Sequence, residues 1–372
     1  MAPTIKVLLF YDFPDNIKLP GYEIRVSDPF ARIDAGRHFG IREFISGGRD
    51  NYYFRWRLYS AAGVDRLYRQ RDPLYMQLAQ EFVEQARDCD VVILANYNPI
   101  HPEILFHELK KPVKILGFVD DPFASYLRGI PYLWAVDGAF YISPSYDERN
   151  LFDDKMAEWG VRHSIWWPLV PHPLPRSEPT ETFFRDRDVD LLYVGKAYGA
   201  KIDRLAKLRK RFGKKFRLHG RWPFAGYHGV IRGLLLGKPV LWTQVRSITA
   251  TEKSRLYLRT KIGLNMHLSE APRETGNMRM YEVPAHGAML LCDKAGRDAH
   301  EKIFQSGGEA VYYDDIEDAI SQIEFYLSHE DERIAVAKGG YARFWRDYEW
   351  AGNLGRLLSW AASLKNDRGV GR

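Results

Sequence analysis

The sequence predicts an α/β protein of two domains. Three observations carry this. Apolar runs of strand length recur along the chain, amphipathic helical stretches fall between them, and a proline-rich stretch near the middle interrupts the alternation before it restarts. The length agrees, because 372 residues at roughly 150 per domain give two domains, each able to bury a core.

The first run, Ile5 to Tyr11 (IKVLLFY), is apolar throughout, as expected of a strand covered on both faces in a parallel sheet. Asp90 to Ala95, Val113 to Val119 and Ala139 to Ser143 repeat the pattern. Met76 to Arg87 is helical by its apolar spacing. Ser145 to Trp159 reads as a second helix, opened by Ser145 with Glu148 at capping-box spacing and stopped at Gly160. Residues 13–72 are irregular and rich in Arg, Tyr and Gly, with one helix expected around Phe54 to Ala62. Five prolines in PLVPHPLPRSEPTE remove backbone donors and mark a linker.

Beyond the linker the strands expected are Val189 to Val194, Phe216 to His219, Lys261 to Met266, Ala288 to Cys292 and Ala310 to Tyr313. A basic helix from about Ala200 to Phe212 has Ile202, Leu205, Leu208 and Phe212 as its buried face. Helices also span Ile316 to Ser328 and Glu330 to Trp345. The domains expected are therefore 1–170, with 13–72 as an elaboration, and 189–345, joined by a linker at 171–188 and followed by a terminal segment, 346–372.

Composition excludes several classes. With 45% hydrophobic and 27% charged residues the chain is neither disordered nor membrane-embedded. Its two cysteines, Cys89 and Cys292, lie far apart with no Cys or His at metal-ligand spacing, so buried thiols are expected rather than a disulfide scaffold. The apolar stretch Val7 to Phe10 is too short for a signal-peptide core, and the expected location is the cytoplasm. A net charge of +6 suits an acidic partner without selecting one. Residues 196–217 carry ten basic side chains against one acidic, Asp203. Such a face is usually solvated, and it also permits weak contact with polyanions or an anionic membrane surface.

The segment most informative for chemistry is Ser269 to Asp293, SEAPRETGNMRMYEVPAHGAMLLCD, between two strands. Glu274, Thr275, Gly276 and Asn277 form a loop opening a short helix over 278–286. Free amides and the positive end of the helix dipole there suit a phosphate. Glu282 lies about two helical turns beyond Glu274, so the two carboxylates can touch opposite ends of one extended ligand.

This Glu-x7-Glu pattern resembles the donor-site motif of retaining GT-B glycosyltransferases. More closely, NMRMYEVPAHGAMLLCD resembles the Asn-x-Arg-x-x-Glu, Pro-Ala-x-Gly signature of the spore maturation protein CgeB-like family. GFVDDP, VDGAFYISP, DLLYVGK, FRLHGRW and FWRDYEW fall in the order that family shows, covering about three-quarters of the chain outside 13–72. The resemblance implies two Rossmann-like domains facing across a cleft, a nucleotide-sugar donor on the second and an acceptor on the first, with the terminal segment crossing back to the first.

Carried over residue by residue, the resemblance implies that Glu282 binds the donor ribose, Glu274, with Glu270 as its rival, the transferred sugar, and Arg279 the pyrophosphate unless it is a structural ion-pair residue, with Gly276 and Asn277 presenting the loop. Gly195 and Lys196 end the first strand of the second domain, where a fixed cation stabilises the departing diphosphate. His219 and Arg221 follow the next strand, on the base side. Asp120 and Asp121 end a strand of the first domain, where open sheets bind ligands; they orient an acceptor, act as a base, or cap a helix with Pro122. Asn98 and His101 are further acceptor-side candidates.

No Asp-x-Asp metal motif accompanies these, so no essential metal and no cofactor beyond the co-substrate are expected. The acceptor stays open among a glycan, a small molecule, a lipid-linked glycan and nucleic acid. The rival readings are an inverting transferase using Asp120, Asp121 or His101 as base, a DNA-modifying transferase, and a non-catalytic nucleotide-sugar-binding protein.

Overall fold

The apolar runs form strands that all lie parallel to their sheet neighbours. The computed structural model describes residues 4–10, 17–26, 29–30, 61–95, 99–119, 127–147, 149–171, 179–241, 245–267 and 275–367. They cluster into two units. The first is Met1–Ile142, Asp153–Trp167 and Ala351–Arg372, and the second is Ser143–Phe152 and Pro168–Trp350.

The first unit runs β1 (Ile5–Phe10), β2 (Tyr22–Val26), α1 (Ala61–Arg69), α2 (Pro73–Ala86), β3 (Val91–Ala95), α3 (Pro102–Glu108), β4 (Val113–Phe118), β5 (Gly138–Tyr141), α4 (Phe152–Glu158) and β6 (Ser164–Trp166). Its six strands are ordered β2-β1-β3-β4-β5-β6. The second unit runs α5 (Glu181–Arg185), β7 (Val189–Lys196), α6 (Lys201–Phe212), β8 (Phe216–Arg221), α7 (Gly226–Leu235), α8 (Ala250–Tyr257), β9 (Thr260–Asn265), α9 (Met278–Ala285), β10 (Met289–Asp293), β11 (Val311–Tyr313), α10 (Ile316–Ser328) and α11 (Glu330–Asp347). Its five strands are ordered β11-β10-β9-β7-β8.

The two orders are the same doubly wound topology. In each sheet the chain goes one way from the first strand to the second, then returns past the first and continues the other way. The reversal leaves a crevice outside the carboxyl ends of β7 and β9 in the second sheet, and of β1 and β3 in the first. A last helix, α12 (Trp350–Asp367), buries Leu354, Leu357, Leu358, Ala361 and Leu364, and from Ala351 onward it belongs to the first unit. There Asn353 accepts a hydrogen bond from the Trp167 indole at 3.0 Å, and Lys365 pairs with Asp90 at 2.9 Å.

The structure departs from the sequence expectations in the helix expected from Ser145 and in the linker. The helix expected from Ser145 starts only at Phe152. Asp147 accepts from the amides of Arg149 and Asn150, both at 2.8 Å, and Ser145 pairs with Leu151 in a bridge, so the capping-type residues build a turn instead. The linker at 171–188 contains the one-turn helix α5, capped by Thr180. The helix around Phe54 to Ala62 falls mostly outside the described residues, and the described helix, α1, begins at Ala61.

Below the second sheet, Arg187 donates to the carbonyls of Tyr257 (3.0 Å), Thr260 (2.7 Å) and His286 (2.9 Å), tying together the ends of α8 and α9. Among the described residues no helix is long and apolar enough to cross a membrane.

Candidate functional site

The carboxyl ends of β7 and β9 meet the start of α9 in the second unit. Asn277 caps α9, its side chain accepting from the Arg279 amide at 3.1 Å. That cap aims the Arg279 side chain at the strand ends. Its Nε donates to the Val194 carbonyl of β7 at 2.7 Å, and its Nη1 to Asn265 Oδ1 of β9 at 2.6 Å. The guanidinium also lies 4.8 Å over the Tyr193 ring. One arginine thus bridges the two strands that flank the reversal of strand order.

This explains Gly195. A Cβ there would lie 2.5 Å from Arg279 Nη2, so only glycine lets the guanidinium lie against β7. Gly220 is its register partner on β8, with φ +122°, and a Cβ at Gly220 would run into the Gly195 carbonyl.

Behind Arg279 lies a hydrogen-bonded chain the sequence analysis did not single out. Asn265 Nδ2 faces His267 Nε2 at 3.4 Å, and His267 Nδ1 faces Asp293 Oδ1 at 2.8 Å. The ring is consistent with Nδ1–H donating to the carboxylate and Nε2 accepting from the amide. The His267 backbone amide also donates to Asp293, at 2.9 Å. Burial works to raise the Asp293 carboxyl, and the His267 ring and amide outweigh it, so the group stays below the usual carboxylate range.

Cys292 joins this cluster, accepting from Asn265 at 3.2 Å, so a cysteine with no His neighbour in sequence has one in space. His267, Cys292 and Asp293 are close enough to hold a cation. Their arrangement satisfies each ring nitrogen within the protein, and burial pushes the Cys292 thiol well up, which disfavours the thiolate a metal needs.

Glu282 lies one turn beyond Arg279 on α9 and is buried, 6% exposed. Its Oε1 pairs with Lys253 of α8, a residue positioned by the Thr249–Glu252 capping box. Oε2 has no partner among the described residues. The Glu282 carbonyl accepts from His286 Nδ1 at 2.6 Å, fixing the turn that ends α9.

The loop before α9 offers fewer free amides than its sequence implied. The Thr275 amide donates to Ser143 Oγ and the Gly276 amide to Met280 Sδ, both at 3.3 Å. The Thr275 hydroxyl donates to the same sulfur at 3.0 Å. Met280, one turn into the helix, folds back over the loop and takes these donors.

At the ends of β7 and β8, Lys196 and Arg221 are exposed register neighbours with no acidic partner among the described residues. His219 precedes them on β8 with its Nδ1 buried and unpartnered. Burial pushes the His219 ring below its ordinary value, against the opposing Arg246 backbone. The ring is half-buried, and its Nδ1 is closed off from solvent without a partner among the described residues.

In the first unit, His101 caps α3. Its Nδ1 accepts from the Glu103 amide at 3.2 Å, its Nε2 faces Asp65 at 3.4 Å, and its ring stacks on Tyr68 at 4.0 Å. With Nδ1 accepting, Nε2 carries the proton, and the ring has no lone pair to offer as a base. Glu274, Asp120, Asp121 and Asn98 lie outside the described residues.

Residues 201–359 match a protein family described as glycosyl transferase-like. No curated protein matches the sequence. An alpha-glucosyltransferase solved in complex with UDP is similar over 76% of this chain and 83% of its own, with 12% identity and a TM-score of 0.53. TarM, from S. aureus, is similar over 76% of this chain and 57% of its own, at 11% identity and a TM-score of 0.53. Sucrose-phosphate synthase from Thermosynechococcus elongatus is similar over 78% and 79%, at 14% identity and a TM-score of 0.53. At such identities the likeness concerns the fold. The fold is that of GT-B glycosyltransferases, and residues 201–359 carry a glycosyl transferase-like domain.

Proposed function

We propose that the protein transfers a sugar from a nucleotide sugar to an acceptor hydroxyl with retention of anomeric configuration, and that it belongs with the CgeB-like transferases. The observation that carries the reading is buried Glu282 one turn from Arg279, at the reversal of strand order where doubly wound sheets bind nucleotides. The alpha-glucosyltransferase of similar fold was solved with UDP and with UDP-glucose.

In this reading Glu282 Oε2 accepts from a ribose hydroxyl, and Lys253 holds the carboxylate in place. His219 lies on the base side. The diphosphate lies between Arg279 Nη2, Lys196 and Arg221, with Gly195 making room for the Arg279 guanidinium. As the bond from the anomeric carbon to the phosphate oxygen breaks, the electron pair leaves with the diphosphate, and these fixed cations stabilise it. The acceptor oxygen attacks the same face, and its proton passes to the departing phosphate oxygen. Glu274 holds the transferred sugar. Asp120, Asp121 and Asn98 orient the acceptor. His101 acts as a helix cap on the acceptor side rather than as a base. The fixed cations perform the charge stabilisation, so the reaction is metal-independent.

The test is a thermal-shift screen of UDP, GDP, dTDP, ADP and CMP sugars, since a bound donor raises the melting temperature by mass action. The reading expects one donor to stabilise the protein and to be slowly hydrolysed without an acceptor, at a rate unchanged by EDTA. The product of an α-linked donor should be α-linked by NMR. A β-linked product contradicts retention, and no stabilisation by any donor contradicts the reading as a whole.

A further inference from the structure

Helix α7 is built inside out. Its buried positions are Gly226, Val230 and Gly233. Its large apolar residues face solvent instead. Tyr227, Ile231, Leu234 and Leu235 follow i, i+4, i+7, i+8 spacing along one face, Leu236 continues it, and these five are 45% to 82% exposed. The glycines enforce the arrangement. A Cβ on Gly233 would lie 2.5 Å from Val240 Cγ1 and 3.0 Å from Phe224 Cβ, so the helix seats its smooth side on the domain.

The support is firm. The segment after the helix returns to pair Leu241 with Phe224 and Gly226, and Trp222 donates from its indole to the Pro239 carbonyl at 3.2 Å. The apolar face is therefore a fixed surface rather than a frayed turn. A contiguous exposed apolar face on a rigid support marks an interaction site.

The charge around it selects the partner. Residues 204–251 contain 12 Lys and Arg and no Asp or Glu. On the described surface, Arg232 lies on α7 itself. Lys238 follows the helix and reaches Asp203, 3.5 Å away at the start of α6. Of the α6 cations, Lys207 and Arg211 pair with Glu317 and Glu324 of α10. Lys210, Lys214 and Lys215 are exposed without acidic partners among the described residues, but they lie at the other end of α6 and in the turn before β8, away from the end that Lys238 reaches.

We propose that α7 docks this protein on an anionic lipid bilayer, with Tyr227, Ile231, Leu234, Leu235 and Leu236 entering the headgroup–acyl boundary and Arg232, with Lys238 beside it, meeting lipid phosphates. Apolar residues on one face with flanking Arg and Lys are what such a surface binds. A second copy of this chain fits less well, because two-fold pairing would face one α7 surface, whose one charged residue is Arg232, with another of the same sign. A nucleic-acid backbone offers nothing to the leucines.

The experiment is cosedimentation of the full-length protein with phosphatidylcholine vesicles, with and without phosphatidylglycerol, for the wild type, the double variant Leu234→Glu/Leu235→Glu, and Arg232→Glu. Circular dichroism and donor hydrolysis verify that each variant is folded. The expected result is binding only to the phosphatidylglycerol vesicles, weakened by salt, reduced about tenfold or more in the double variant and several-fold in Arg232→Glu. Wild-type protein that stays in the supernatant overturns the proposal, as does a double variant that binds as well as wild type. Sedimentation showing a dimer that the double variant loses, or duplex DNA binding that depends on the two leucines, would assign the face to those partners and overturn it equally.

Discussion

Two groups of side chains meet at the strand ends of the second unit, and they differ in how completely the protein itself satisfies them. At β9 and β10, Arg279, Asn265, His267 and Asp293 form a continuous chain of hydrogen bonds, each polar group with a protein partner. At β7 and β8, Lys196 and Arg221 are exposed without acidic partners among the described residues, and His219 keeps a buried nitrogen unpaired. A buried polar atom without a partner is costly. The contrast separates side chains tied into the protein from cations that it leaves exposed. Arg279 is gripped by two carbonyl-type oxygens and a tyrosine ring, and the Glu282 carboxylate one turn away adds attraction.

The contrast can be broken most strongly at Arg279. Arg279→Ala leaves the Val194 carbonyl and Asn265 without their donor, and we expect a stability loss of about 3 kcal/mol together with loss of nucleotide binding. Urea unfolding checks it, and a change below about 0.5 kcal/mol would mean the arginine supports nothing. Gly195→Ala should act on the same contact from the other side. Its methyl displaces Nη2, with an expected cost of about 1–3 kcal/mol and weakened binding, while the same substitution at the open Gly308 should cost less.

Acid should act more mildly. Burial pushes the His101, His219, His286 and His300 rings below 6.5. The unfolded chain therefore takes up protons first as pH falls, so stability is complete above about pH 6.5 and declines below it. The melting temperature should fall from about pH 7 to pH 5.5, and a rise over that window would contradict the burial of these rings. The smallest effect on the fold is expected at Lys196. Lys196→Ala should leave stability within about 0.5 kcal/mol, yet weaken a nucleoside diphosphate more than the parent nucleoside in calorimetric titration.

Legibility from sequence followed the same division. Strands buried on both faces, such as β1, β4 and β10, announce themselves as apolar runs. Strand β2 does not, because YEIRV is a half-exposed edge with alternating burial. Helix α7 was missed although Tyr227, Ile231, Leu234 and Leu235 carry helical spacing, because three glycines fall within its ten residues and lower its helix propensity. The false start at Ser145 shows the limit of capping residues, which serve turns as readily as helices.

At the site, Glu282, Arg279, Gly195 and His219 could be named from motif and position. Asn265, His267 and Asp293 could not, since their importance lies in contacts between strands far apart in sequence. The rule used for Asp120 and Asp121, that groups at the carboxyl ends of parallel strands face ligands, would have flagged them had it been applied to β9 and β10. Lys253 had a legible signal in the Thr249–Glu252 capping box, which marks the start of α8, but nothing in the sequence paired it with Glu282.

The central claim is that Glu282 binds the donor nucleotide. Calorimetric titration of Glu282→Ala against wild type, using the nucleoside diphosphate that stabilises the wild type most, tests it directly. The account predicts a loss of about 1.5–3 kcal/mol in binding with the fold retained, because one charge-assisted hydrogen bond to the ribose disappears and Lys253, partly exposed, turns to solvent. Unchanged affinity in the folded variant would contradict it and remove Glu282 from the site.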